Sequence, residues 1–222
     1  MTYDPRGNSR SSLDGPREDW QADVHADDAS RLLSAVGTGP AYVFGSSGGA
    51  LVGLALVARH PEQVRTLVAH EPPAMELLPD REQRRAAAQE IYDTYRREGL
   101  GPAMAKFLAG AGLKPPPPPQ GEPTPEMAEM MARMGRNVDL FLAHGIRQIG
   151  GYVPDVAALR RGSTRVVVAG GEASRGQPAY EASAVLAERL GTTVAHFPGD
   201  HGGFGAHPAV FAETLHKVLR DR

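Results

Sequence analysis

The first 22 residues show no apolar periodicity: Asp, Pro, Gly, Asn and Ser crowd them, and Met1-Thr2-Tyr3 alone has the look of a strand end. A helical pattern starts near 24, where Ala29, Leu32, Leu33 and Val36 share one stripe and Gly37 stops it. After the Gly-Thr-Gly-Pro turn, Tyr42-Val43-Phe44 reads as a short buried strand. Gly45-Ser46-Ser47-Gly48-Gly49 then leads into an apolar segment, 50–59, long enough for a helix. Pro61 ends it, because the residue before a proline avoids the helical region. Residues 64–68 form the next buried strand. Strand, helix, strand in this order predicts a parallel α/β unit.

Between about 72 and 154 this rhythm breaks. Helical stretches are predicted near 80–98, 102–110 and 125–149, separated by five consecutive prolines at 115–119. Such a run favours an extended polyproline conformation, either as a ligand for a small adaptor domain or as a stiff connection between helices. Met127, Met130, Met131 and Met134 recur at helical spacing; they fit an adaptable apolar pocket or plain helix packing. The α/β rhythm then resumes with a strand at 165–169, an amphipathic helix at 180–190 closed by Gly191, a strand at 192–197 and a helix at 207–219. There is no internal repeat. The expected division is a core of 1–73 and 155–222 with a helical cap inserted at 74–154, which would shape a substrate pocket.

Composition narrows the chemistry. A chain of 222 residues with 41% apolar content buries roughly 70% of its unfolded surface and needs no staple. The absence of cysteine excludes a disulfide scaffold, a cysteine-based zinc site and a cysteine nucleophile. A net charge of -2 gives no reason to expect nucleic acid or an anionic membrane as partner. No apolar run reaches the roughly 20 residues of a membrane helix, and the polar start MTYDPRGNSRSS is no signal peptide. A cytoplasmic bacterial protein acting on a small molecule, without cofactor or metal, is the expectation.

The strongest local signal is Gly45-Ser46-Ser47-Gly48-Gly49, a G-x-S-x-G centred on Ser47 directly after a strand and before a helix. In that context the motif is a nucleophile elbow: a strained turn lifts the serine hydroxyl above the sheet, and small flanking residues let strand and helix cross closely. Ser46 does not compete, because Phe44 holds its corresponding flank. The helix starting near Gly48 aims its free N–H groups at a reacting oxygen. A glycine-rich packing turn is the plain alternative, and a phosphate loop is weak because no Gly-Lys-Ser/Thr follows.

With TYDPRGNSRS at 2–11, AYVFGSSGGALVGLALVARHPEQVRTLVAHEPP at 41–73, and TRVVVAGGE and FPGDHGGF later on, the chain resembles an α/β-hydrolase of the actinobacterial type over nearly its whole length. The resemblance implies a mostly parallel sheet flanked by helices, with a helical cap and the motif order serine, acid, histidine. It points to Ser47 as nucleophile, with His201, in the loop after the last strand, as base. His60, His70, His196 and His207 read as structural or solvated, and a metal site from His196, Asp200, His201 and His207 fits no compact ligand spacing. The acid is expected after RVVVA, where Ala173 occupies the family's aspartate position; Glu172 is the nearest carboxylate, with Asp155 and Asp200 as alternatives. Of the oxyanion donors, the Gly48 N–H is the visible one.

TYDPRG resembles the end of the fourth strand of the fold, so the first strands are expected to be missing. Either Met1 is a misassigned start, or this is a shortened member that dimerises or rearranges its first 22 residues. The absence would bare an edge at Tyr42-Val43-Phe44 and favour a homo-oligomer paired through it. The leading reading is a serine hydrolase of a small carboxylic ester, thioester or lactone, with Ser47, His201, Glu172 and Gly48 in the roles given. The alternative is a catalytically weak or inactive relative that binds a ligand or partner. A cofactor-free haloperoxidase-like or C–C bond hydrolase stays open; epoxide and haloalkane hydrolases are disfavoured, since they need a carboxylate at the elbow.

Overall fold

The computed structural model describes residues 1–37, 39–115 and 122–220. Most of the proline run at 115–119 therefore lies outside the described residues. Two compact units emerge: 1–20 with 82–148, and 21–81 with 149–222.

The second unit is built on a parallel sheet of order β1-β2-β3-β4, formed by β1 (Ala41–Ser46), β2 (Val64–His70), β3 (Arg165–Gly171) and β4 (Ala195–Phe197). Helix α1 (Ala22–Val36) packs on α2 (Gly48–Arg59), and α2 packs on β1 and β2. Period-two alternation in β2 sends Leu67 toward α2, where Gly53 leaves room for it; a Cβ there would lie 2.6 Å from the Leu67 side chain. Val68 points the other way, into a cluster with Ala169, Phe197 and Phe211. Thr66 and His70 alternate with Leu67 and share the Val68 side. β1 pairs with β2 from Tyr42↔Thr66 to Ser46↔His70, after an irregularity between Ala41 and Tyr42. β2 runs with β3 to His70↔Ala169, and β3 with β4 to Gly171↔Phe197. Among the described residues β1 borders the sheet, and Tyr42 and Phe44 are exposed there.

The middle strands are longer than their apolar runs suggest, because backbone pairing continues past those runs, whereas the strand expected at 192–197 is confined to Ala195–Phe197. β2 extends through His70 and β3 through Gly171. Met1-Thr2-Tyr3 is not a strand.

The other unit holds α3 (Arg81–Glu98, from Glu82 on), α4 (Leu100–Ala111) and α5 (Pro125–Leu140), which continues through a π-helical turn, Phe141–Gly145, into α6 (Ile146–Gly151, as far as Gln148). Its core is Ile91, Ala103, Leu142 and Ile146, with Phe107 set edge-on to Phe141. The first residues belong to this unit. Ser9 N–H donates to Asn137 Oδ1 at 2.7 Å, Asn137 Nδ2 donates back to Ser9 Oγ at 2.8 Å, and Trp20 N–H donates to the His144 carbonyl at 2.9 Å. The four-methionine stripe is not part of its buried core: Met127, Met130, Met131 and Met134 are all exposed.

The second unit is completed by α7 (Val156–Arg161), α8 (Pro178–Leu190), α9 (Gly203–Ala206) and α10 (Pro208–Arg220). Among the described residues no helix is long and apolar enough to cross a membrane.

Candidate active site

Ser47 lies one residue past β1, with φ 55° and ψ -126°. A non-glycine residue there is strained, and the strain persists because both sides of the turn are tied down. Ser47 N–H donates to the His70 carbonyl at 2.9 Å, continuing the β1–β2 ladder, and its own carbonyl accepts from Ala50 N–H at 2.9 Å, the first turn of α2. Gly45 permits the crossing: a Cβ on it would strike the Gly49 carbonyl. Gly49 itself faces open space, so the small-residue demand falls on Gly45. Gly48 opens α2, where a first-turn N–H lacks an intrahelical acceptor.

His201 sits in the loop between β4 and α9. This loop is pressed onto the end of β3. Ala173 N–H donates to the Gly199 carbonyl at 2.9 Å, and a Cβ on Gly171 would come within 2.6 Å of the same oxygen. Gly199 takes φ 81°, a conformation suited to glycine.

The carboxylate on His201 is Glu71, not Glu172. His201 Nδ1–H donates to Glu71 Oε2 at 2.6 Å, and Gly171 N–H donates to Glu71 Oε1 at 2.8 Å. Glu71 is the residue after β2, fully buried, with φ 47°; its own N–H donates to the Ala169 carbonyl at 2.9 Å. Burial pushes its carboxyl up, but hydrogen bonding, above all from His201, outweighs that and holds it below the usual carboxylate range. Glu172 is exposed in a short turn after β3. Asp155 caps α7 by accepting from Ala158 N–H at 2.8 Å, and Asp200 accepts from Gly202 N–H at 2.9 Å within its own loop. Neither alternative orients His201.

The signal for Glu71 was register. β1 and β2 are parallel with Ser46 opposite His70, so the residues one step beyond, Ser47 and Glu71, leave the sheet side by side. Both have positive φ.

His70 lies beneath them, fully buried among Phe44, Phe197 and Phe211. Its Nδ1 shares a hydrogen bond with Ser46 Oγ at 3.1 Å, and its Nε2 has no partner. Burial lowers its pKa to about 4, against the opposing pull of the Glu71 carboxylate, with a smaller push in the same direction from His201. The ring is neutral at ordinary pH, while His201, 6.3 Å away between centroids, faces the carboxylate.

Two other histidines are engaged elsewhere: His60 Nε2 lies 2.9 Å from Asp27, and His196 Nε2 lies 3.1 Å from Tyr180 Oη. Among the described residues no group of three or more His, Asp or Glu is arranged to hold a metal ion.

A family model described as the alpha/beta hydrolase fold matches residues 1–109. The uncharacterized hydrolase YraK of Bacillus subtilis (strain 168) is 36% identical over 225 residues, spanning 99% of this chain and 78% of that protein. Among solved structures, a hydrolase from Pseudomonas aeruginosa PA01 superposes with TM-score 0.69 at 22% identity, over 99% of this chain and 78% of its own. A thermophilic esterase from Thermogutta terrifontis does so with TM-score 0.66 at 20% identity, over 98% and 78%. The strained serine corner, the parallel sheet and the extent of the match to YraK agree: the chain belongs to the α/β-hydrolase family and is a hydrolase of that fold.

Proposed function

We propose that the chain is a serine hydrolase of a small carboxylic ester, thioester or lactone, working through an acyl-enzyme on Ser47. The observation that carries this reading is the 2.6 Å pair between His201 Nδ1 and Glu71 Oε2, placed at the same end of the sheet as the strained Ser47. With Nδ1–H committed to Glu71, the neutral ring keeps its lone pair on Nε2. Nε2 takes the hydroxyl proton as Ser47 Oγ attacks the carbonyl carbon, and returns it to the leaving alcohol, thiol or ring oxygen. Water then attacks the acyl-enzyme by the same route, releasing the acid and restoring the serine. The Gly48 N–H donates to the oxyanion, and the N-terminus of α2 adds to its stabilisation. Glu71 holds the ring orientation and stabilises the imidazolium; Glu172 has no part in the chemistry.

A fluorophosphonate probe tests the reading. It labels the wild-type chain stoichiometrically, and Ser47→Ala abolishes both labelling and turnover. A folded sample that takes no label supports the ligand-binding alternative instead.

The net charge of -2 supports a small-molecule substrate over nucleic acid. The exposed β1 edge, carrying Tyr42 and Phe44, supports self-association through that strand. Size-exclusion chromatography then shows a species larger than the 23.6 kDa monomer.

A further inference from the structure

The glycines around Ser47 do not answer to one cause. Gly45 is fixed by the crossing of β1 and α2, since a Cβ on it would strike the Gly49 carbonyl. Gly48 is not fixed in this way. It is already helical, and beyond its own helix and chain neighbours a Cβ on it would meet a single atom, Cδ1 of Ile149, at 3.7 Å. That is ordinary van der Waals contact. An alanine would therefore fit at 48 and would favour the helix. Glycine instead leaves a gap, one carbon deep, between its Cα and the Ile149 δ-methyl. Ile149 is partly buried near the end of α6, in the same unit as the sheet, and its carbonyl accepts from Tyr152 N–H at 3.4 Å.

The gap adjoins the N–H that receives the oxyanion in the mechanism above. In the tetrahedral adduct on Ser47 the reacting carbon carries four groups: the serine oxygen, the oxyanion, the leaving group and the acyl chain. The oxyanion is committed to the Gly48 N–H, and the leaving group to His201 Nε2, which protonates it. The acyl chain takes the direction that remains, and the gap over Gly48 lies within a few bonds of it.

We propose that Ile149 is the specificity-determining residue of this site: its δ-methyl walls the gap over Gly48 and restricts the acyl group of the substrate to acetyl or propionyl size. The proposal rests on the serine-hydrolase reading and adds the acyl class to it. The wall is hydrocarbon, so the chain it accepts is plain alkyl; a hydroxyl or charge pressed against it would go unpaired. One carbon too many runs into Ile149, and a single methylene in an apolar pocket is worth roughly 10- to 200-fold in kcat/KM.

Hydrolysis of p-nitrophenyl acetate, propionate, butyrate and hexanoate by the full chain tests this, because these esters share one leaving group. For the wild type, kcat/KM should fall by about tenfold or more from propionate to butyrate. Ile149→Val deletes just the δ-carbon, a mild change in packing, and should raise the butyrate-to-acetate ratio about tenfold. Ile149→Ala should carry the gain on to hexanoate, and Ile149→Phe should lower the propionate-to-acetate ratio. The ratio of 1-naphthyl acetate to p-nitrophenyl acetate, which varies the leaving group alone, should stay unchanged. A wild type that prefers hexanoate overturns the proposal. So does an acyl profile that none of the three variants moves, or one that moves only together with the leaving-group ratio, which marks Ile149 as packing alone. In those cases turnover and Ser47 labelling persist, and the serine-hydrolase reading stands. A folded chain with neither turnover nor label on Ser47 fails that reading, and this proposal falls with it.

Discussion

The carboxyl ends of β2 and β3 are adjacent, parallel and each followed within two residues by a glutamate, yet they do different work. At the end of β2 the chain turns through φ 47° at Glu71, and the side chain is taken fully out of solvent onto His201 and the Gly171 N–H. At the end of β3 the backbone enters a short turn and Glu172 points to solvent. There the backbone is the useful part: Gly171 N–H anchors Glu71, and Ala173 N–H anchors the histidine loop. A carboxylate is recruited by the direction in which the strand end releases it, and two chain positions of like composition offer different directions.

The sharpest way to break this comparison is Glu71→Gln. It keeps shape and removes charge, and turnover should fall about 10⁴-fold, as when a triad acid is neutralised. Hydrolysis of a p-nitrophenyl ester measures it; a loss below tenfold would show that Glu71 does not orient His201.

Acidification gives the next effect. His70 has its pKa lowered to about 4 in the fold, so the unfolded chain takes up a proton first as pH falls below about 6.5. Stability therefore drops between about pH 6.5 and 4, by up to about 3 kcal/mol from this group. Glu71 acts with the same sign further down. Its depressed carboxyl contributes stability above the ordinary carboxylate value, and that is lost as pH falls through its folded value. Thermal unfolding midpoints across this range check both, and His70→Phe, which keeps a ring among the phenylalanines, should flatten the upper part of the slope. Glu172→Gln should be the smallest change, within about twofold in turnover and about 0.5 kcal/mol in stability, as for other exposed positions.

The strained corner at Ser47 and the loop position of His201 were legible because their signals are local: a glycine-flanked serine between a strand and a helix, and a histidine in a glycine-rich loop before the last helix. The meeting of Glu71 with His201 was not, because it spans 130 residues of sequence, and the register that brings Glu71 out beside Ser47 exists only once β1 and β2 have paired. The family position after β3 drew the choice to Glu172, but the backbone has already turned there. That the strands run parallel was readable from the alternation of apolar runs with helices. The attachment of the first 20 residues to the helical unit was not, because it is made by polar contacts such as Ser9 with Asn137, which carry no periodicity.

The irregularity between Ala41 and Tyr42 has a consequence for how such chains tolerate change in length. Downstream of it, β1 and β2 advance in step to Ser46 and His70, so Ser47 and Glu71 are delivered by one shared count of residues. Upstream, the count is already broken. Insertions and deletions before Tyr42 can be absorbed as slack, whereas a single residue gained or lost within 42–46 or 66–70 would throw Ser47 and Glu71 out of phase with each other.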